Sequence, residues 1–251
     1  MTTCALLLAV VAALRGTWSP CGLSMISSIN PFSEAGRGHR YAVTCSWFVL
    51  GAVVGGLGLG GVAAGLALLL PSVAWVGAAA ALVTVGADLG LLRLWTHPRQ
   101  VNEAWLRTYR PWAYASGFGL QIGAGFTTYV MTAATYLLVV VAALTTPVTA
   151  LLVGGLFGLV RGLTVLLGAL AATPEQLLGL HRRLADLDTT SLRVVVVVQV
   201  LVATALGGPW FLGGCVAAVV VGQVLRQPRA ELVGGKGPAE PPALSAVAAH
   251  R

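Results

Sequence analysis

Apolar residues run along this chain in blocks too long and too uniform for the one-sided helices of a soluble domain, with short polar segments between them. A helix needs roughly 20 consecutive apolar residues to cross the hydrocarbon core. Six stretches reach that length, near 3–29, 42–70, 73–94, 114–144, 147–172 and 194–224. The pattern predicts an all-α, polytopic membrane protein with six transmembrane helices. The fourth block carries Gly117, Gly119, Gly123 and Gly125, and the sixth carries Gly207-Gly208-Pro209, so both are expected to kink or break. Dividing the sixth at Gly208-Pro209 would give seven spans, with arms of only about 15 residues.

The polar segments alternate in charge. Arg37, His39 and Arg40 follow the first span; Arg93, Arg99, Arg107 and Arg110 follow the third; Arg182, Arg183 and Arg193 follow the fifth. The links at Pro71 and at Thr145-Thr146-Pro147 carry no charge. The positive-inside rule places the basic segments in the cytoplasm and the amino terminus outside, in the cell (inner or plasma) membrane. With six spans the basic residues Arg226, Arg229 and Lys236 fall outside, a conflict that seven spans would remove. The first apolar stretch has no basic leader and no clear small-x-small cleavage signal, so it reads as a retained helix. Residues 1–226 form the transmembrane domain, and the Pro-, Gly- and Ala-rich residues 227–251 read as a disordered tail.

Composition agrees. Of 251 residues 57% are hydrophobic and 9% charged, with mean hydropathy +0.86, whereas soluble domains are about 25% charged. The net charge of +7 lies in short clusters between apolar runs, which fits anchoring to a lipid bilayer and gives no footing for nucleic acid. Between Arg93 and Trp112 the arginines are interleaved with Trp95, Trp105, Tyr109 and Trp112, a mixture suited to headgroup depth or to docking a partner. His39, His97, His181 and His250 lie in basic or terminal segments and read as interfacial.

Three spans followed by three more give two halves of opposite orientation, the arithmetic of an inverted repeat. Gly51-Ala52-Val53-Val54-Gly55-Gly56 in the second span can be set beside Gly154-Gly155-Leu156-Phe157-Gly158 in the fifth. Close helix packing accounts for such spacing equally well.

Candidate chemistry centres on Ser19-Pro20-Cys21. Proline removes a helical donor and opens the backbone around the thiol that follows it, and within lipid such an opening must face protein or a wet cavity. Arg15, Asp88 and Arg161 lie within apolar spans, where ionisable groups are costly and need partners. One aspartate neutralises one arginine, leaving the other to hold an anion or a thiolate. Cys4, Cys21, Cys45 and Cys215 are the four cysteines; Cys21 and Cys45 fall at comparable depth on the inner side, and Cys4 and Cys215 toward the outer side. Packing as small hydrophobes is the plain reading of each. With no Cys-x-x-Cys and no Cys/His cluster, the sequence points to no metal, and no motif points to a cofactor.

Ser19-Pro20-Cys21 in the first span, the Gly-rich second span and the three-plus-three arrangement resemble the CcdA/DsbD family of transmembrane thiol-disulfide electron carriers of the cytochrome c biogenesis type. The resemblance implies disulfide exchange from a cytoplasmic thioredoxin-like donor to an extracytoplasmic redox acceptor, with one cysteine in the first span and one in the fourth. Cys21 matches the first position. The second falls at Thr127, Thr128 or Tyr129, where there is no cysteine. Thiol-disulfide exchange needs a resolving thiol, which makes Cys45 the substitute candidate. A transporter of a small anionic solute, using Arg15 or Arg161, and a noncatalytic membrane subunit of an assembly are the competing functions.

Overall fold

The computed structural model describes residues 1–69, 71, 73–92, 104–127 and 130–226, and every regular element among them is helical. The order is α1 (Thr2–Arg15), a 3-10 turn (Gly16–Trp18), α2 (Pro20–Ser28), α3 (Pro31–Gly36), α4 (Tyr41–Leu69), α5 (Ala74–Asp88), α6 (Trp105–Thr108), α7 (Pro111–Gly123), α8 (Ala134–Ala143), α9 (Pro147–Leu163, continued as a 3-10 segment Thr164–Leu170), α10 (Pro174–Gly207) and α11 (Pro209–Arg226). Among the described residues three helices are long and apolar enough to cross a membrane: Tyr41–Leu69, Pro147–Leu170 and Pro174–Gly207. Thr2–Trp18 and Pro20–Ser28 together form a fourth candidate, bent by 69° at Ser19. Residues 227–251, expected to form a tail, lie outside the described residues.

Besides the bent stretch 3–29, three more expected spans differ from single helices of the expected bounds. The stretch 73–94 yields only the 15-residue α5. The stretch 114–144 is divided: α7 ends at Gly123, Gly125 takes a φ of 74°, and α8 starts at Ala134. The stretch 194–224 is also divided, because Gly208 takes a φ of 76° and Pro209 starts a new helix. A glycine with positive φ followed by proline is a strong helix stop. At its other end α10 begins twenty residues before the apolar stretch, at Pro174 with Thr173 capping Gln176 N. Hydropathy alone hid this polar half of the helix.

The axis of the bundle is α4, packed most extensively on α9 and α7. At the α4–α9 crossing, glycine faces glycine. A methyl group on Gly56 would overlap the Gly154 carbonyl, and one on Gly154 would overlap the Gly56 carbonyl. The two glycine clusters paired in the sequence are therefore set directly against each other, which brings the backbones into van der Waals contact. Two apolar clusters divide the length of α4. One gathers Leu59, Ala63 and Ala64 with α1, α8, α9 and α10; the other gathers Cys45 and Phe48 with Cys21, Met25, Tyr114 and Phe118.

The polar half of α10 is fastened to the bent first span. Arg15 pairs with Asp188 at 2.6 Å, Trp18 Nε1 donates to the Leu184 carbonyl at 2.7 Å, and Ser27 Oγ lies 3.2 Å from His181 Nε2. Positions 181, 184 and 188 follow the i, i+3, i+7 spacing of one helix face, so a single stripe of α10 makes all three contacts.

Candidate functional site

Proline at position 20 restricts Ser19 to extended backbone, and Ser19 takes φ −67° and ψ 151°. From there it serves both sides of the break. Its hydroxyl donates to the Gly16 carbonyl at 2.7 Å and accepts from Gly22 N at 3.1 Å, capping α2 while Pro20 occupies the first helical position. Gly22 is required by close approach, since a Cβ there would stand 2.6 Å from the Thr17 carbonyl oxygen. The Ser-Pro-Cys-Gly run is thus a locally self-sufficient turn that delivers Cys21 to the first turn of α2. The thiol is 1% exposed.

Arg161, from α9, reaches this break. Its guanidinium occupies the space where a Gly16 side chain would be, lies 5.8 Å from the Phe157 ring centre, and is close enough to Cys21 to interact electrostatically. The residue is 4% exposed, its Nε has no hydrogen-bond partner, and among the described residues no carboxylate lies within ion-pair distance. Beside it a cavity of about 390 Å³, lined by Leu14, Thr17, Trp18, Val160, Leu163 and Leu184 among others, is almost wholly apolar.

The expected pairing of an intramembrane arginine with Asp88 takes another form. Arg15 pairs with Asp188 and also bonds Ser191. Asp88 accepts from Thr132 Oγ1, Ala133 N and Gln199 Nε2 at 2.7, 2.8 and 2.9 Å, tying α5 to α8 and α10. Asp188 sits in the polar half of α10 that hydropathy left outside the spans, which is why the sequence did not offer it.

Of the expected fourth-span positions, Thr127 lies in the break between α7 and α8, where its hydroxyl donates to the Gln121 carbonyl; Thr128 and Tyr129 lie outside the described residues. All four cysteines are free. Cys21 and Cys45 are buried in one apolar cluster, and Cys4 packs against the other, which contains Cys215. Among the described residues no three His, Cys, Asp or Glu side chains gather to hold a metal ion.

Glu34 escaped the sequence reading. It is fully buried and accepts from Thr44 Oγ1 at 2.7 Å and from the Tyr114 hydroxyl at 2.9 and 3.0 Å, while Arg37 pairs with it at 2.6 Å and His39 Nδ1 stands 3.8 Å away. This carboxylate joins α3, α4 and α7 beneath the Cys21–Cys45 cluster. Its signal was a lone acid among basic residues directly after an Asn30-Pro31 helix start.

No protein-family model matches the chain, and no solved structure does. The chain is similar to methylamine utilization protein MauF from three bacteria. It is 33% identical to that of Paracoccus denitrificans over 177 residues, covering 64% of this chain and 62% of the relative. It is 31% identical to that of Methylorubrum extorquens over 162 residues, covering 57% and 54%. For Paracoccus versutus the figure is 31% over 190 residues, covering 68% and 66%. The matched segment thus spans between about half and two thirds of the length of these relatives.

Proposed function

We propose that the chain is a multi-pass membrane protein of CcdA/DsbD-like arrangement that passes reducing equivalents to an extracytoplasmic redox protein, or assists its maturation, with Cys21 as the reactive thiol. The observation that carries this reading is the burial of the Arg161 guanidinium, without a carboxylate, at the break that holds Cys21. A thiol in the first turn of a helix, beside a buried guanidinium, is the kind of position that reactive cysteines occupy. Six crossings in two inverted halves are supported by the breaks in both the first and the fourth apolar blocks and by the mutual glycine crossing of α4 and α9. The similarity to MauF points to methylamine utilization, or the use of a related amine, as the setting.

The chemistry balances with Cys45 as resolving thiol. The Cys21 thiolate attacks one sulfur of an acceptor disulfide, forming a mixed disulfide and releasing the acceptor's other sulfur as thiolate. Cys45, deprotonated, attacks Cys21 Sγ, which frees the acceptor as a dithiol after uptake of two protons and leaves Cys21 and Cys45 joined. A thioredoxin-like donor dithiol then reduces that disulfide and is itself oxidised. Cys45 shares the buried cluster with Cys21, which supports this pairing over Cys4 or Cys215.

The unpaired Arg161 also favours a second reading, transport of a small anionic solute. The apolar lining of the adjacent cavity weighs against it, because an anion leaving water needs several polar partners. Membrane assays of Cys21→Ser and Arg161→Ala separate the two. Loss of activity in Cys21→Ser supports exchange; activity and solute uptake that survive Cys21→Ser but fail in Arg161→Ala support transport.

A further inference from the structure

Exposed aromatic side chains fall at two levels of the bundle. Trp47 of α4 and Trp112 of α7 are exposed with ring centres 6.4 Å apart, and Tyr109 is exposed just before α7. At the far end of α4, Trp75 opens α5 and Trp210 opens α11, both exposed; Gly207, just before α11, packs on Ala78 of α5 and so holds the two tryptophans on the same end. From Trp47 to the end of α4 at Leu69 is about 33 Å of helix, against a hydrocarbon thickness of about 30 Å. Between these levels Leu50, Val54, Leu57 and Val62 of α4 are all exposed.

Charge follows the same division. Arg40, Arg107, Arg110, Arg182 and Arg183 are exposed on segments at the Trp47 end. Asp188 is 44% exposed and Arg193 is exposed, so the stretch of α10 that carries them does not suit contact with hydrocarbon. Arg15, bonded to Asp188, belongs to the same depth. On α9, Gly162 lies against Val49 of α4, two residues from Trp47, which puts Arg161 and the Gly16 it covers within about one helical turn of that tryptophan.

We infer that one boundary of the bilayer runs through Trp47, Tyr109 and Trp112 and the other through Trp75 and Trp210, so that the Ser19-Pro20-Cys21 break lies at the arginine-rich headgroup level rather than at mid-membrane. Aromatic rings and guanidinium groups there meet phospholipid headgroups. The apolar part of α10, Val194–Gly207, covers only about 21 Å. On that side Arg193 snorkels and the bilayer thins to meet it. The cytoplasmic thioredoxin-like donor therefore meets Cys21 from the arginine-rich side. The inference rests on the membrane reading above but not on thiol chemistry.

Depth measurement by nitroxide labelling tests it. Cysteine is introduced singly at Trp18, Trp47, Leu57 and Leu68 in a background in which Cys4, Cys21, Cys45 and Cys215 are all replaced by Ser, with the chain in vesicles of phosphatidylcholine and phosphatidylglycerol. The ratio of oxygen to nickel-chelate collision should peak at 57, fall toward 47 and 68, and read at 18 as it does at 47. A maximum at 47 or at 18 would overturn the placement. Quenching of the native tryptophans by lipids brominated at graded depths provides a second measurement without a label. Trp47→Phe/Trp112→Phe should lose fluorescence quenched mainly by shallow bromines, and loss confined to deep bromines overturns the inference. A water-like profile along all of α4 overturns the membrane reading as well, whereas the expected profile with unreactive Cys21 overturns only the exchange chemistry.

Discussion

The guanidinium of Arg161 rests on the backbone of Gly16, filling the place a side chain would take. One residue from α9 thereby props open the break in the first span, and one glycine makes room for it. Gly16→Ala is expected to expel the guanidinium, lower thermal stability by about 1–3 kcal/mol as overpacking does, and slow alkylation of Cys21. Arg161→Gln should likewise slow alkylation of Cys21, with Arg161→Lys in between. Rates unchanged in all three variants would separate Arg161 from the thiol.

The α4–α9 crossing makes a prediction of opposite sign at neighbouring glycines. Gly154→Ala should destabilise by about 1–3 kcal/mol, because its methyl overlaps the Gly56 carbonyl. Gly58, on the same helix as Gly56, faces open space, and Gly58→Ala should gain up to ~1 kcal/mol from helix propensity. Thermal unfolding in detergent checks both.

Replacing Glu34 with Ala strands the Tyr114 and Thr44 hydroxyls and leaves Arg37 without its carboxylate. A loss on the order of 3 kcal/mol is expected, with Glu34→Gln recovering part of it. Tyr114→Phe, which removes one donor only, should cost about 1 kcal/mol.

For Arg15 and Asp188, a double-mutant cycle with Arg15→Gln and Asp188→Asn should return a coupling of about 1 kcal/mol, modest because Asp188 is 44% exposed.

How much of this was legible in the sequence depended on range. Apolar block length exposed α4 and α9, and local chain chemistry exposed the break, because Ser19, Pro20 and Gly22 act on groups within six residues of themselves. The glycine clusters at 51–56 and 154–158 were visible as a pair but not as a contact. What stayed hidden was long-range polar pairing. Asp188 lies 173 positions from Arg15 and Tyr114 lies 80 from Glu34, and no spacing rule reaches that far. The polar half of α10 was missed for a different reason: hydropathy reports contact with lipid or core, and a helix pinned by one polar stripe gives little of either signal.

The most direct test of the thiol itself is capture of its mixed disulfide. In native membranes, the Cys45→Ser variant should accumulate a covalent complex between Cys21 and a partner protein, cleaved by reductant and absent from Cys21→Ser/Cys45→Ser. An adduct that persists in the double variant, or a Cys21→Ser variant with full activity, would contradict a reactive Cys21.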